Sequence, residues 1–376
     1  MAGGAAGLVA CRGKHEELAH VIQSASRENV LQRVAAALGR GATSEQILTA
    51  CFALLLEKGA DWEDVHALLV VPSILFHVNS VGLLPVFWCA ANARDWPGQP
   101  LGVVSPNASG DALNRAFAQG DPALADAAVL HRGVGVAPLL AIEATRSRPD
   151  PHGAIYAAQG ARMAPFLGER HRLLWVRSLA RHLARTGPPA AAPAVPRFDA
   201  RNTTLPVEIA RALRDERAVS LDGLSPDAVW EALAILALGT RFEDPSPSGV
   251  GVHQTTTLDA LWFICDSAPP AQRAEVLSRS VPFVLSVRNP VQAPLPPALP
   301  PAGLVQPDVE ALRREVALKG SGEHDFKYFG AVDAVAPKLS LAFQKQWWSG
   351  ATRAHPIGSS YRWERAPEAE ALIARL

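Results

Sequence analysis

From Val65 to Ala93 the chain carries no Asp, Glu, Lys or Arg. A charge-free stretch of that length is buried either in a bilayer or in a protein core. His66, Pro72, Ser73, His77, Asn79, Ser80, Gly82, Pro85 and Asn92 interrupt it. In lipid those polar groups, and the carbonyls that the prolines leave without partners, would go unsatisfied. The run therefore reads as two buried core helices around a turn near Gly82, and no membrane partner is expected. A chain of 376 residues with 48% hydrophobic content has enough apolar surface to enclose them.

The remaining apolar positions recur at helical spacing, and no segment alternates with period two, so the expected class is all-α. Ser26–Leu38 is amphipathic. Thr43-Ser44-Glu45-Gln46 has the form of a capping box for a helix that Gly59 stops. Asp61 is placed to cap the helix that holds His66, which Pro72 should kink or break. Further helices are expected over 83–93, 112–129, 137–145, 151–166 and 169–185. In the second part of the chain they follow over 224–239, from His253 onward, over 271–287 with an interruption at Pro282, over 308–318 and over 323–346. Trp347-Trp348-Ser349-Gly350 then reads as the end of the helical part.

Gly187-Pro188-Pro189, Pro193 and Pro196 cannot sustain a helix, so 187–204 reads as an extended linker. A second proline-rich crossing spans 289–307. The part after the linker resembles the part before it. A helix start at Ser225 leads to Gly239 as Thr43 leads to Gly59, and His253 leads an apolar run as His66 does. The domain reading is thus a tail or first helix over 1–24, one helical domain over 25–350 made of halves 25–186 and 205–350, and an extension over 351–376.

Lys plus Arg and Asp plus Glu both number 36, giving a net charge of +0, and no basic run is interleaved with aromatics. Nucleic acid is not an expected partner. The four cysteines, Cys11, Cys51, Cys89 and Cys265, form no Cys-x-x-Cys pair, and most lie in apolar helical patterns, which suits reduced thiols and a cytoplasmic setting.

Among the histidines, His66, His152, His253 and His324 each precede or open an apolar helical run. Neutral imidazole is a common ligand for iron and zinc, and four rings from four separate segments are what a helical bundle needs to close a central metal site. Asp64, Asp150, Asp325 and the hydroxyls of Thr255–Thr257 are candidate partners for the second ring nitrogens. Lys327, one helical turn after His324, is either paired with Asp325 or Glu323, or converted by CO2 into an anionic carbamate that can bind metal. His77, about three turns from His66, is a candidate for lining the same cavity, and His171 for hydrogen-bonding a substrate. His15, His20, His131, His182 and His355 read as ordinary terminal or surface residues.

These segments, in this order, resemble the questin oxidase-like family and its bacterial relatives, some of which carry a fused Rieske domain. The matching residues are His66-Ala67-Leu68-Leu69-Val70-Val71 with Pro85-Val86-Phe87-Trp88, His152-Gly153-Ala154-Ile155-Tyr156 with Glu169-Arg170-His171, His253-Gln254-Thr255-Thr256-Thr257-Leu258-Asp259-Ala260-Leu261, and His324-Asp325-Phe326-Lys327. The resemblance spans roughly residues 25 to 350. It implies an all-helical bundle in which His66, His152, His253, His324 and a carbamylated Lys327 bind Fe(II). O2 would be co-substrate, and the expected reaction is oxidation of an organic small molecule of aromatic polyketide type. Gly153 and Gln254 depart from the family pattern. The chain lacks paired Cys-x-His segments and any Gly-rich nucleotide cradle, so electrons are expected from the substrate or from a separate reductase. Two other readings remain open on residues alone. His324-Asp325 superficially matches the doublet of metal-dependent HD phosphohydrolases, and the histidines also suit the core of a non-catalytic helical scaffold.

Overall fold

The computed structural model describes residues 15–59, 66–78, 82–98, 100–102, 111–148, 150–191, 193–215, 219–244, 246, 249–287, 299–319, 323–354 and 363–376. Among them there are helices, turns and loops and no strand, so the class is all-α. The helices are α1 (15–23), α2 (Val30–Gly39), α3 (Ser44–Glu57), α4 (His66–Ser73), α5 (Leu84–Asp95), α6 (Ala112–Gln119), α7 (Pro122–Arg132), α8 (Ala137–Glu143) and α9 (His152–Met163). They continue with α10 (Glu169–Arg185), α11 (Pro206–Arg214), α12 (Pro226–Glu243), α13 (Val250–Ser267), α14 (Pro270–Ser286), α15 (Val309–Lys319), α16 (Glu323–Val335), α17 (Leu341–Ala354) and α18 (Ala366–Ile373).

Four of these helices make the centre. α4 packs on α9, α9 on α13, α13 on α16, and α16 back on α4, which closes a ring. α13 is buried almost all round, from Val250 to Cys265, and the other helices wrap the ring. Among the described residues no single helix is long and apolar enough to cross a membrane.

Local sequence chemistry sets most boundaries. Thr43 and Gln46 form the expected capping box, and Gly59 follows the end of α3 with φ of 68°. The expected 112–129 helix is split, because Gly120 takes φ of 67° and Asp121 caps a new helix that begins at Pro122. Pro72 does not end its helix. The chain runs on through it and widens into a π-helix over Ile74–Val78, a change that accommodates the N–H that proline lacks. Pro282 likewise sits inside a continuous α14.

Two boundaries near the end of the helical part differ from expectation. The 323–346 helix breaks at Ala336-Pro337-Lys338, and Trp347–Gly350 lies inside α17 rather than ending it. Trp347 is buried and its Nε1 donates to Val332 O at 3.0 Å, while a Cβ on Gly350 would stand 2.5 Å from Leu238 Cδ1. That glycine serves close packing, not termination. The described end of the extension, 363–376, is docked as well, since α18 packs on α2 and α5, Arg365 donates to Arg27 O at 2.8 Å and Gln32 to Glu368 at 2.9 Å. Linker 187–204 is non-helical where described and is tied at both ends, by Ala190 N–H to Ser147 O and by Arg197 N–H to Asp222 Oδ1. Asp61, Asp64, Cys11, His355, residues 1–14 and 288–298 of the second proline-rich crossing lie outside the described residues. Cys51, Cys89 and Cys265 are buried and form no disulfide.

Helix α13 is seated by contact with α12. Arg241 of α12 is buried, donates to the carbonyls of Asp244 and Ser246, and Asp244 Oδ2 accepts from Val250 N–H at the start of α13. Gly251 lets the two backbones meet, since a Cβ there would stand 2.6 Å from Arg241 Cα. Gly251→Ala should therefore cost about 1–3 kcal/mol of stability. Urea unfolding checks this, with Gly135→Ala, where a Cβ meets nothing within 4 Å, expected to fall within about 0.5 kcal/mol of wild type.

Candidate metal centre

Each helix of the central ring contributes one imidazole. His66 is the first residue of α4, His152 the first of α9, His253 the fourth of α13 and His324 the second of α16. Side chains lean toward the N-terminus of their own helix, so four helix starts that converge deliver four rings to one end of the bundle. The rings neighbour one another in the same cyclic order as the helices. Centroids are 4.7 Å apart for His66 and His152, 5.4 Å for His152 and His253, 5.4 Å for His253 and His324, and 4.9 Å for His324 and His66.

The nitrogens on the outer side of the cluster are held by fixed acceptors. Asp150 Oδ1 accepts from both the backbone N–H of His152, at 3.0 Å, and its ring Nδ1–H, at 2.5 Å. His253 Nδ1 lies 3.1 Å from Gly249 O, which can only accept, so that ring too carries its proton on Nδ1. Both tautomers leave Nε2 as a lone pair facing the cluster. His152 Nε2 and His66 Nε2 approach to 2.8 Å. Without an ion the donor across this contact is His66 Nε2–H and the acceptor the lone pair on His152 Nε2. His324 Nε2 is buried and has no hydrogen-bond partner. His66, His253 and His324 each bring a ligand atom within 4.8 Å of the others. Nitrogens bound at ~2.1 Å to one ion stand about 3.0–4.2 Å apart in octahedral geometry. His66, His253 and His324 thus have the donor type, and spacings near those, of a transition-metal site, and His152 joins the group through its contact with His66.

Burial and neighbouring charges keep His152, His253 and His324 neutral. Burial, then the charges of His152 and Lys327, push His253 down to about 3. Burial, then Lys327 and the neighbouring histidines, push His324 down to about 2. His152 is also lowered, by burial first, although the Asp150 hydrogen bond opposes it. Burial raises the Asp150 carboxyl, but the His152 hydrogen bond and the His152 and His182 charges together outweigh it, so it stays anionic. Lys327, 3% exposed, lies one turn beyond His324 and its charge acts on His152, His253 and His324.

The other sequence-derived candidates go elsewhere. His77 Nδ1–H donates to Asp333 Oδ2 at 2.8 Å, and Arg313 holds the other oxygen of Asp333 at 3.0 Å. Asp333 is nine residues along α16 from His324, ~13 Å at helical rise, so His77 stands apart from the four rings. His171 donates to Glu57 and stacks edge-on with His15. It is eleven residues, ~16 Å along α10, from His182, which touches the Asp150 carboxylate. The hydroxyls of Thr255 and Thr256 bond to carbonyls of their own helix, so the free ring nitrogen of His253 is held by the Gly249 carbonyl instead. Asp325 acts on Arg241.

Gly153 and Gln254, beside two of these histidines, each have a packing role. Gly153 lets α10 approach, because a Cβ there would stand 2.9 Å from Leu183 and 3.5 Å from His182. Gln254 is buried and donates to Val284 O at 3.2 Å, tying α13 to α14. His182 is not the surface residue that the sequence suggests, since it is fully buried, sits 3.6 Å from Asp150 Oδ2 and packs edge-on against Tyr156. Its surrounding Arg-rich sequence masks this, and only its position on the inward stripe of α10 hinted at it. His15 is buried too, whereas His20 and His131 are exposed.

No protein-family model, curated protein or solved structure gives a significant match to this chain.

The depressed imidazoles make a pH prediction for the metal-free chain. A group with lowered folded pKa binds fewer protons folded than unfolded, so stability rises with pH between the two values. For His253 the window runs from about 3 to 6.5, and crossing it downward should remove on the order of 4 kcal/mol. Asp150 acts in the same direction, losing its contribution as pH falls. Chemical denaturation at a series of pH values should show the midpoint falling steadily below pH ~6.5, and a flat profile from 6.5 to 4 would contradict it.

Proposed function

We propose that the chain is a non-haem iron-dependent oxygenase that uses O2 on an organic small molecule, with His66, His152, His253 and His324 as iron ligands. The observation that carries the metal reading is the closed cycle of four imidazoles, one from each helix of a four-helix ring, with His324 Nε2 buried and unsatisfied. Fe(II) held by these nitrogens would supply the one-electron chemistry that activates O2, which no protein side chain provides. Iron, O2 and an aromatic, polyketide-like substrate follow from the resemblance to the questin oxidase-like family.

The chain's own residues have definite tasks in this scheme. Asp150 and the Gly249 carbonyl hold the Nδ1 protons of His152 and His253, which orients both rings and makes their Nε2 atoms better donors. The apolar helices around the ring limit water, while His66, His152 and His324 remain half-buried. An ammonium on Lys327 would repel a cation beside three imidazoles. In this reading its neutral amine adds to CO2 and loses one proton, giving a carbamate whose oxygen is a fifth ligand.

The cyclic order also supports the reading of two duplicated halves. A two-fold that exchanges His66 with His253 exchanges His152 with His324, and it maps neighbours onto neighbours around the ring. The hydrolase alternative draws no comparable support, because among the described residues the candidate ligand group at His324 contains no carboxylate and Asp325 acts on Arg241.

Protein loaded anaerobically with Fe(II) should hold about one iron at the centre, and His253→Ala should lose it along with O2 consumption. Removing CO2 from the buffer, or Lys327→Met, should weaken iron retention by about tenfold or more. Wild-type protein that takes up no iron, with His253→Ala matching it in every property, would leave a non-catalytic helical scaffold.

A further inference from the structure

A second imidazole arrangement lies in the first turn of α10, built from residues that the central ring does not use. His171 Nε2–H donates to Glu57 Oε1, at the end of α3, at 3.0 Å, and Arg170 holds the same oxygen at 3.1 Å. The His15 ring, from α1, meets His171 edge-on at a centroid distance of 5.7 Å. His15, Glu16 and His171 each bring one ligand atom within 4.8 Å of the others. Both histidines are buried and Glu16 is exposed.

The decisive atom is His171 Nδ1, which is shielded from solvent and has no hydrogen-bond partner. With the ring proton committed to Glu57 on Nε2, Nδ1 is a bare lone pair, and a buried acceptor left unmade is costly. One ring nitrogen donating to a carboxylate while the other faces further ligands is the arrangement that orients a metal-bound histidine. The same pattern recurs at Asp150 and His152.

We propose that His15, Glu16 and His171 form a second site, for Zn2+, in which Glu57 orients His171 and water completes the coordination beside the exposed Glu16. Two imidazoles and one carboxylate suit a borderline ion such as zinc better than hard cations, which prefer all-oxygen sites. Such an ion clamps α1 onto the ends of α3 and α10, and its role is structural.

The test uses the full chain, stripped of metal and titrated with ZnCl2 by calorimetry, with metal content and melting temperature measured in parallel. Wild type is expected to show a zinc event whose affinity falls by about tenfold or more in His15→Ala and in Glu16→Gln, together with its share of the zinc-induced rise in Tm. Glu16 is exposed, so that variant keeps the fold. His253→Ala should leave this event intact, which separates it from the central ring. Loss of zinc binding in Glu16→Gln but not in His253→Ala would support this site even if the central reading failed. Unchanged zinc stoichiometry, affinity and Tm shift in both His15→Ala and Glu16→Gln would overturn it.

Discussion

Packing four imidazoles against one another, with His152, His253 and His324 held neutral, is the constraint on which the rest of this structure depends. Each ring has two nitrogens that must be satisfied away from water, and a hydrocarbon core offers none of the partners. The protein meets this on the outer side with Asp150 and the Gly249 carbonyl, and on the inner side with the short Nε2–Nε2 contact between His152 and His66. Desolvation is the largest of the effects that keep His253 and His324 neutral far below their ordinary range, so their nitrogens are kept as acceptors and donors rather than as cations. That neutrality, and not the mere presence of histidine, makes the centre chemically informative.

Close helix packing delivers those rings. Gly251 brings α13 against α12, Gly153 admits α10 beside α9, and Gly160 leaves room for the Trp175 indole. In each case a single methyl group would collide with a neighbour. The glycines therefore act through the ring positions, since a shift of α9 or α13 by even an ångström would move His152 or His253 off the common point. Arg241 has a similar part, bridging α12 to the loop before α13 and lying over the Tyr328 ring at 5.1 Å.

The carboxylate–imidazole pairs in this chain divide by what the second nitrogen does. At His77 the partner Asp333 is also held by Arg313, which closes an ordinary ion-pair network. At His152 and His171 the carboxylate takes one nitrogen, and the other meets a further imidazole or lies buried without a partner. Sequence neighbours do not distinguish these cases, because Asp333 and Glu57 are far from their histidines in the chain.

The all-helical class, the capping box at Thr43, the end of α3 at Gly59 and the burial of the charge-free stretch around His66 follow from short-range chemistry, and sequence alone determined them. It also picked out the four histidines, because each opens an apolar helix, and Asp150, because it lies two residues before His152. Only tertiary structure decided the cyclic order of the rings, the burial of His182 and His15, the seat of His253 on a carbonyl, and the docking of α18. These depend on contacts between segments remote in the chain, where packing shape chooses among many apolar faces of similar composition. Local propensity carries no information about that choice.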